Sequence, residues 1–306
     1  MLILHTGDLH LGDLTGPVKN GKNARRQDTL ACMESIVQVA EATTPNPHVA
    51  IIAGDLFNRS RVWADTALED VQEAVTTFIR PLCKCCEHVV LLFGTENHDN
   101  PKAFGLLREL TRDEKNLHVY VKPGVHRLET SDGDVQILAL PGFDKGRLRL
   151  FCPGADKEAE NRNATALIND VLLGLSIGLD RTIPSILAAH YTVAGSEYNN
   201  GSTFLAGQDT VLVPSTIDST GVTLACLGHI HKPQKINCHT PAYYCGSPNQ
   251  LTFGDEGTKH GFWMHTIGYT FGKPDYAESL FFTTPERKHY TYRLSPDDVG
   301  EFISTG

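Results

Sequence analysis

Five short apolar runs, each leading into polar residues of a metal-binding kind, constrain this chain more than any other feature. The runs are Leu2-Ile3-Leu4-His5, Val49-Ala50-Ile51-Ile52-Ala53, Val89-Val90-Leu91-Leu92-Phe93, Ile186-Leu187-Ala188-Ala189 and Val222-Thr223-Leu224-Ala225-Cys226-Leu227. Their length and apolar content read as buried strands. Behind them come Asp8-Leu9-His10, Gly54-Asp55, Asn97-His98-Asp99 (after a short loop), Ala189-His190 and Gly228-His229-Ile230-His231. Polar residues at the ends of several strands are where an α/β scaffold places a reaction centre. A lone histidine beside a strand is more often a structural residue than a ligand. Five segments in the same setting leave little room for chance.

The donor types narrow the chemistry. On an extended chain, side chains two apart point the same way, so Asp8 and His10 are expected to grip one ion together. His229 and His231 either share an ion or reach two neighbouring ones. Carboxylate, imidazole and amide donors in one site suit Mn, Fe or Zn better than Mg or Ca. The segments contain no cysteine, which argues against a thiolate zinc site. Two ions about 3.5–4 Å apart would clamp a phosphate and supply a hydroxide at neutral pH. A carboxylate is the natural bridge between them, and Asp55 is the best placed.

Helical spacing is expected over residues 27–43, 63–80 and 157–177, with another helix opening at Pro101. Strands are expected near 117–121, 124–128 and 135–140, then at 184–189, 222–228, 234–238, 242–245, 261–267 and 277–283. Periodicity alone gives a mixed α/β protein. Residues Gly195 to Gly207 read as a mobile loop beside His190. No apolar run approaches the ~18 residues of a membrane span. With Met1-Leu2-Ile3-Leu4 as the first strand, no signal peptide and a cytoplasmic location are expected. Eight cysteines are scattered along 306 residues, which is not a disulfide framework. Cys83-Lys84-Cys85-Cys86 reads as reduced thiols at a helix end. The net charge of −9 disfavours a broad basic face for nucleic acid. Lys19, Lys22, Arg25 and Arg26 form a local cluster that either tracks a phosphate backbone or is an ordinary solvated loop. Lys145, Arg147 and Arg149 form a weaker one.

The order Asp-x-His, Gly-Asp, Asn-His-Asp, His, Gly-His-x-His resembles that of calcineurin-like metallophosphoesterases. Gly7-Asp8-Leu9-His10-Leu11-Gly12, Ala53-Gly54-Asp55-Leu56-Phe57, Ala189-His190-Tyr191-Thr192-Val193-Ala194-Gly195 and Gly228-His229-Ile230-His231-Lys232-Pro233 resemble the SbcD-type nucleases within that group. Cys245-Gly246-Ser247-Pro248, with Phe253 and Asp255-Glu256, continues the likeness, which runs from residue 1 to about 285.

The resemblance implies an α/β fold, a four-layer α/β/β/α sandwich. It implies one ion held by Asp8, His10, Asp55 and His231, and a second by Asp55, Asn97, His190 and His229, with manganese as the expected metal and Fe, Zn or Mg as alternatives. His98 would assist the leaving oxygen without binding metal. Two departures stand out. Thr95-Glu96 separate Gly94 from Asn97 where the family has Gly directly before Asn-His, so the loop is longer or Glu96 fills a glycine position; solvent is the favoured setting for Glu96. Asn58 stands where the family often has an acid. Residues 1–285 would form the nuclease domain, and 286–306 a tail at the start of a cap. The expected substrate is DNA, as single strands and ends. An SbcC-type ATPase would partner a full-length form, and a homodimer is a further expectation. The competing readings are a phosphodiesterase or phosphatase for small esters, and a non-catalytic scaffold.

Overall fold

The computed structural model describes residues 1–58, 65–143, 148, 150–198, 210–285 and 287–291. Two six-stranded sheets face one another. The first runs in the order β16 (Lys273–Thr283), β15 (Gly261–Thr270), β1 (Leu2–Thr6), β4 (Val49–Ile52), β5 (His88–Leu92), β6 (Leu117–Tyr120). Its last four strands are parallel, and β15 and β16 close it antiparallel. The second runs β13 (Gln234–Lys235), β14 (Ala242–Tyr244), β12 (Leu224–Gly228), β9 (Ser185–His190), β8 (Gly133–Leu140), β7 (Gly124–Thr130). Its inner four strands are parallel and both edges antiparallel. Just past β9 the chain forms a short parallel pair, β10 (Thr192–Val193) with β11 (Val211–Leu212).

Alternation along each strand divides the core into three layers. Ile3, Ile51 and Val90 from the first sheet meet Ile137, Ile186, Ala188 and Leu224 from the second. Their sequence neighbours Leu4, Ala50, Ile52 and Leu91 face outward, onto helices that contribute Met33, Ile36, Phe78, Leu82, Phe104 and Leu107. On the far side, Leu138, Leu187, Ala225 and Leu227 pack on Ala164, Ile168, Leu172 and Ile217. The inner strands of both sheets, such as β4, β9 and β12, are therefore buried on both faces, which is why they read as unbroken apolar runs. The result is the four-layer α/β/β/α sandwich.

Helix α1 (Ala24–Ala42) starts three residues earlier than its apolar spacing suggests, because the Asn23 side chain caps it by accepting from the Arg26 N–H. The helix expected over 63–80 is described from Asp65. It runs as α2 (Asp65–Glu73) into a π-helical stretch (Ala74–Ile79) and then α3 (Arg80–Cys85). Beyond these lie α4 (Pro101–Leu110), α5 (Lys157–Ser176) and α6 (Pro214–Thr220). All eight cysteines are free thiols, and Cys83, Cys85 and Cys86 are buried at the α3 end. Among the described residues, no helix is long and apolar enough to cross a membrane.

The first basic cluster divides in two. Lys19 and Lys22 are exposed on a small hairpin, β2 (Val18–Lys19) with β3 (Lys22–Asn23). Arg25 and Arg26 are buried and committed elsewhere. Arg26 pairs with Asp70 at 2.7 Å and with Glu73 at 2.8 Å, and Arg25 donates to the carbonyls of Gln250 and Leu251. Those two guanidiniums cannot track a phosphate backbone. Lys145, Arg147 and Arg149 lie outside the described residues, as do 199–207 of the expected mobile loop. Of the tail from 286, residues 287–291 are described and fold back. Arg287 pairs with Asp28 at 2.5 Å, and the His289 N–H donates to Gln250 at 2.6 Å.

Candidate metal centre

The candidate ligands converge because the parallel strands of both sheets end at one place. Beyond β1 and β4 the two chains run on side by side. Asp8 N–H donates to Gly54 O at 3.0 Å, His10 N–H to Asp55 O at 3.1 Å and Leu11 N–H to Leu56 O at 3.0 Å. The opposite sheet closes on them through β12, where His229 N–H lies 3.0 Å from both carboxylate oxygens of Asp8. Asp8 and His10 do not come together by extended alternation. Both have positive φ, 48° and 49°, as do Asp55 at 48° and His229 at 94°. Non-glycine residues in the left-handed region each cost on the order of 1–3 kcal/mol. Two glycines let the backbones close in. A Cβ on Gly54 would sit 2.4 Å from His190 Nδ1, and one on Gly94 would sit 2.0 Å from Asp55 Oδ1.

Three clusters of donor atoms result, each within 4.8 Å: Asp8 with His10 and His231; His10 with Asp55 and His98; Asp55 with His190 and His229. His229 and His231 thus fall in different clusters, and Asp55 belongs to two. Asp8, His10, Asp55 and His190 are buried, while His98, His229 and His231 are half-buried. Asn97 is exposed, on the turn beside His98.

The donor atoms fit a divalent cation. His190 Nδ1 lies 2.7 Å from Ala53 O, and a carbonyl only accepts, so Nδ1 carries the hydrogen. The other nitrogen, Nε2, is buried without a hydrogen bond and faces Asp55 Oδ2 at 3.3 Å. Two sets of lone pairs so placed require a cation or a proton between them. Without metal a proton answers: burial alone would lower His190, but Asp55 and then Asp8 raise it to about 9. His10 Nε2 and His231 Nε2 likewise face each other at 3.1 Å. Burial pushes the Asp8 carboxyl up to about 7, against the pull of His190. Burial also opposes ionisation of Asp55, but His190, His10 and His98 together outweigh it and hold the carboxyl below the usual range. Burial lowers His231 to about 4, keeping its imidazole neutral as a ligand must be.

The loop after β5 departs from the expected pattern in an intelligible way. Gly94 is the position that no side chain can occupy, and the next residue donates its N–H to Asp55 Oδ1 at 2.8 Å. Glu96 does not have the positive φ that would favour glycine, and it is half-buried rather than solvent-facing. The two extra residues therefore lengthen the loop, and the steric need for glycine stays at Gly94. Asp99, to which the sequence assigned no role, is fully buried and accepts from Gly94 N–H at 2.8 Å and Phe57 N–H at 3.1 Å. It ties the His98 loop to the Asp55 loop. Its signal was present: a third polar residue directly after Asn97-His98. His98 Nδ1 is 3.1 Å from the Asn58 backbone carbonyl, so the side chain at position 58 is not needed for that contact.

A fold of two facing sheets with acidic and imidazole donors at the strand ends defines a metal-dependent phosphoester hydrolase. The chain belongs to the calcineurin-like phosphoesterases, whose family profile matches residues 1–233. It is 27% identical over 281 residues to the SbcD component of the SbcCD nuclease of Rhodobacter capsulatus, covering 85% of this chain and 65% of that one. With the Escherichia coli K12 protein of the same name it shares 23% over 296 residues, 92% of this chain and 68% of that one. With the Bacillus subtilis protein it shares 27% over 273 residues, 84% of this chain and 64% of that one. The chain thus spans just under two thirds of the Rhodobacter and Bacillus relatives.

Proposed function

We propose that this chain is a two-metal DNA nuclease domain of the SbcD type, hydrolysing phosphodiesters at single strands and ends. The observation that carries the reading is the convergence of Asp8, His10 and His231 with Asp55, His190 and His229 at one set of strand ends. The likeness to SbcD components of three SbcCD nucleases supports the substrate. Asp8, His10, Asp55 and His231 would hold one ion and Asp55, Asn97, His190 and His229 the other. Asp55 and His10 each belong to two clusters, and only the carboxylate has two oxygens to offer two ions at once, which favours Asp55 as the bridge. Asn97 is exposed, so its place in the set rests on the resemblance. The mixed donors suit Mn, Fe or Zn, and manganese is the metal the resemblance implies. Such ions, when bound, neutralise the phosphate and provide a nucleophile at neutral pH.

The protein's own groups set the geometry around that chemistry. His190 Nδ1–H on Ala53 O fixes its ring, and the Thr95 N–H on Asp55 Oδ1 fixes the carboxylate that would bridge the ions. The Asn58 carbonyl holds His98 Nδ1–H, leaving Nε2 as the atom that exchanges a proton with the leaving oxygen. Residues 1–285 form the catalytic domain in this reading and 286–306 begin a further segment. An SbcC-type ATPase and a second copy of the chain would be partners of a longer form, in the cytoplasm.

A second reading, hydrolysis of small phosphodiesters, is favoured by one observation. The net charge is −9, and Arg25 and Arg26 are held by internal partners, so neither is offered to a long backbone. Manganese-dependent digestion of labelled single-stranded and blunt duplex DNA, beside a small-ester assay, separates the two. The nuclease reading expects single strands and frayed ends to be cut faster than blunt duplex, with rates falling as salt rises. Turnover of the small ester with no cleavage of any DNA would refute it.

A further inference from the structure

A second group of metal-type donors lies inside the sandwich, outside the centre described above. His5 on β1, His265 on β15 and Cys226 on β12 are all fully buried. One donor atom from each falls within 4.8 Å of the others. The three come from both sheets, among Ile3, Ile51, Ala188, Leu224 and Tyr243 of the middle core layer. Two imidazoles and a thiol are an unusual choice for an apolar layer, where burying polar groups is costly unless they are satisfied.

We propose that His5, Cys226 and His265 form a copper(I) site that ties the two sheets together. The outer nitrogens of both rings are already held as ligating histidines require, each able to donate its remaining N–H to an oxygen. His5 Nε2 lies 3.2 Å from Leu227 O, which only accepts, so Nε2 carries the hydrogen and Nδ1 presents a lone pair. His265 Nδ1 lies 2.5 Å from Ser279 Oγ, a partner able to accept its hydrogen. The two remaining nitrogens, His5 Nδ1 and His265 Nε2, face each other at 3.1 Å. In the metal-free protein a proton on His265 Nε2 joins them, and Ser279 donates to His265 Nδ1.

Loading balances simply. The copper ion bonds to His5 Nδ1, His265 Nε2 and Cys226 Sγ. His265 moves its single proton to Nδ1, where Ser279 now accepts, and the Cys226 thiol releases one proton to solvent. No electron is transferred. A thiolate and two neutral imidazoles carry one negative charge, so a monovalent ion leaves the site neutral. A divalent ion would leave an uncompensated positive charge in an apolar layer. Thiolate donors suit zinc as well as copper(I), but zinc would want a fourth ligand, and three protein donors are present here.

The test loads the full chain with copper(I) anaerobically and challenges it with a copper(I) chelator. The unmutated chain should keep one more copper per chain than Cys226→Ala, with manganese binding unchanged. Copper should raise the Tm of the unmutated chain and leave that of Cys226→Ala where it was. X-ray absorption on the unmutated chain, which needs no variant to fold, should give one sulfur and two imidazole nitrogens. Equal copper retention in both proteins, no retained copper, or a sulfur-only spectrum would overturn the assignment.

Discussion

Metal affinity at the centre should depend on pH in two different ways, one for each ion. The perturbation is pH alone, between 6 and 9, read against the metal-free protonation of the ligands. His190 is raised to about 9 by Asp55 and Asp8, against burial, so at pH 7 it holds a proton that an incoming ion must displace. A gap of about two pH units makes loading of the Asp55–His190–His229 cluster roughly 100-fold weaker at pH 7 than its limit, at about 1.4 kcal/mol per unit. Its affinity should rise about tenfold per pH unit up to about 9. The Asp8–His10–His231 cluster loses its proton earlier, because burial places the Asp8 carboxyl at about 7. Its affinity should rise below pH 7 and flatten above. Stepwise manganese titration by calorimetry or electron paramagnetic resonance would resolve the two. Binding steps that are both flat across this range would refute the reasoning. The same shifts set a stability window. His190 is raised from 6.5, so its stabilising contribution is complete below 6.5 and lost as pH climbs to about 9. Asp99, raised from 3.8 to about 8 by burial and Asp55, acts in the same direction. The chelated protein should therefore lose Tm between pH 7 and 9, and manganese should restore it.

Three substitutions test individual parts. Asp55→Ala should abolish turnover and take manganese below two per chain by elemental analysis; two retained ions would remove Asp55 from the bridge. His98→Ala should keep both ions and still bind DNA while cleavage falls by about 10²–10⁴-fold, the usual scale of proton-transfer assistance, read in single-turnover assays. Arg26→Met should cost about 3–5 kcal/mol in urea denaturation, because it strands the buried Asp70 carboxylate beside Gly12.

Much of the centre was legible because it sits where continuous strand burial stops. Runs such as Val49 to Ala53 are apolar on both faces, so the first polar residue after each marks a strand end. The two-sheet arrangement needed the family resemblance, since nothing in a local run says which sheet it joins. Backbone conformation was not legible at all: Asp8 and His10 share a cluster through positive φ, not through strand alternation. Nor was the fate of Arg25 and Arg26, whose partners Gln250 and Asp70 are distant in sequence. The pairing of His5 with His265, 260 residues apart, was hidden for the same reason.

The positive φ values at Asp8, His10, Asp55 and His229 have an evolutionary consequence. At each, glycine would relieve the backbone and remove the donor. A population selected for thermal robustness alone, with no demand for turnover, should therefore drift to Gly at these four positions first. A relative that has gone this way would keep its sandwich and gain stability while losing its ions. The mark of a retired catalyst in this lineage would be glycine at a strand end, well before any change in the core.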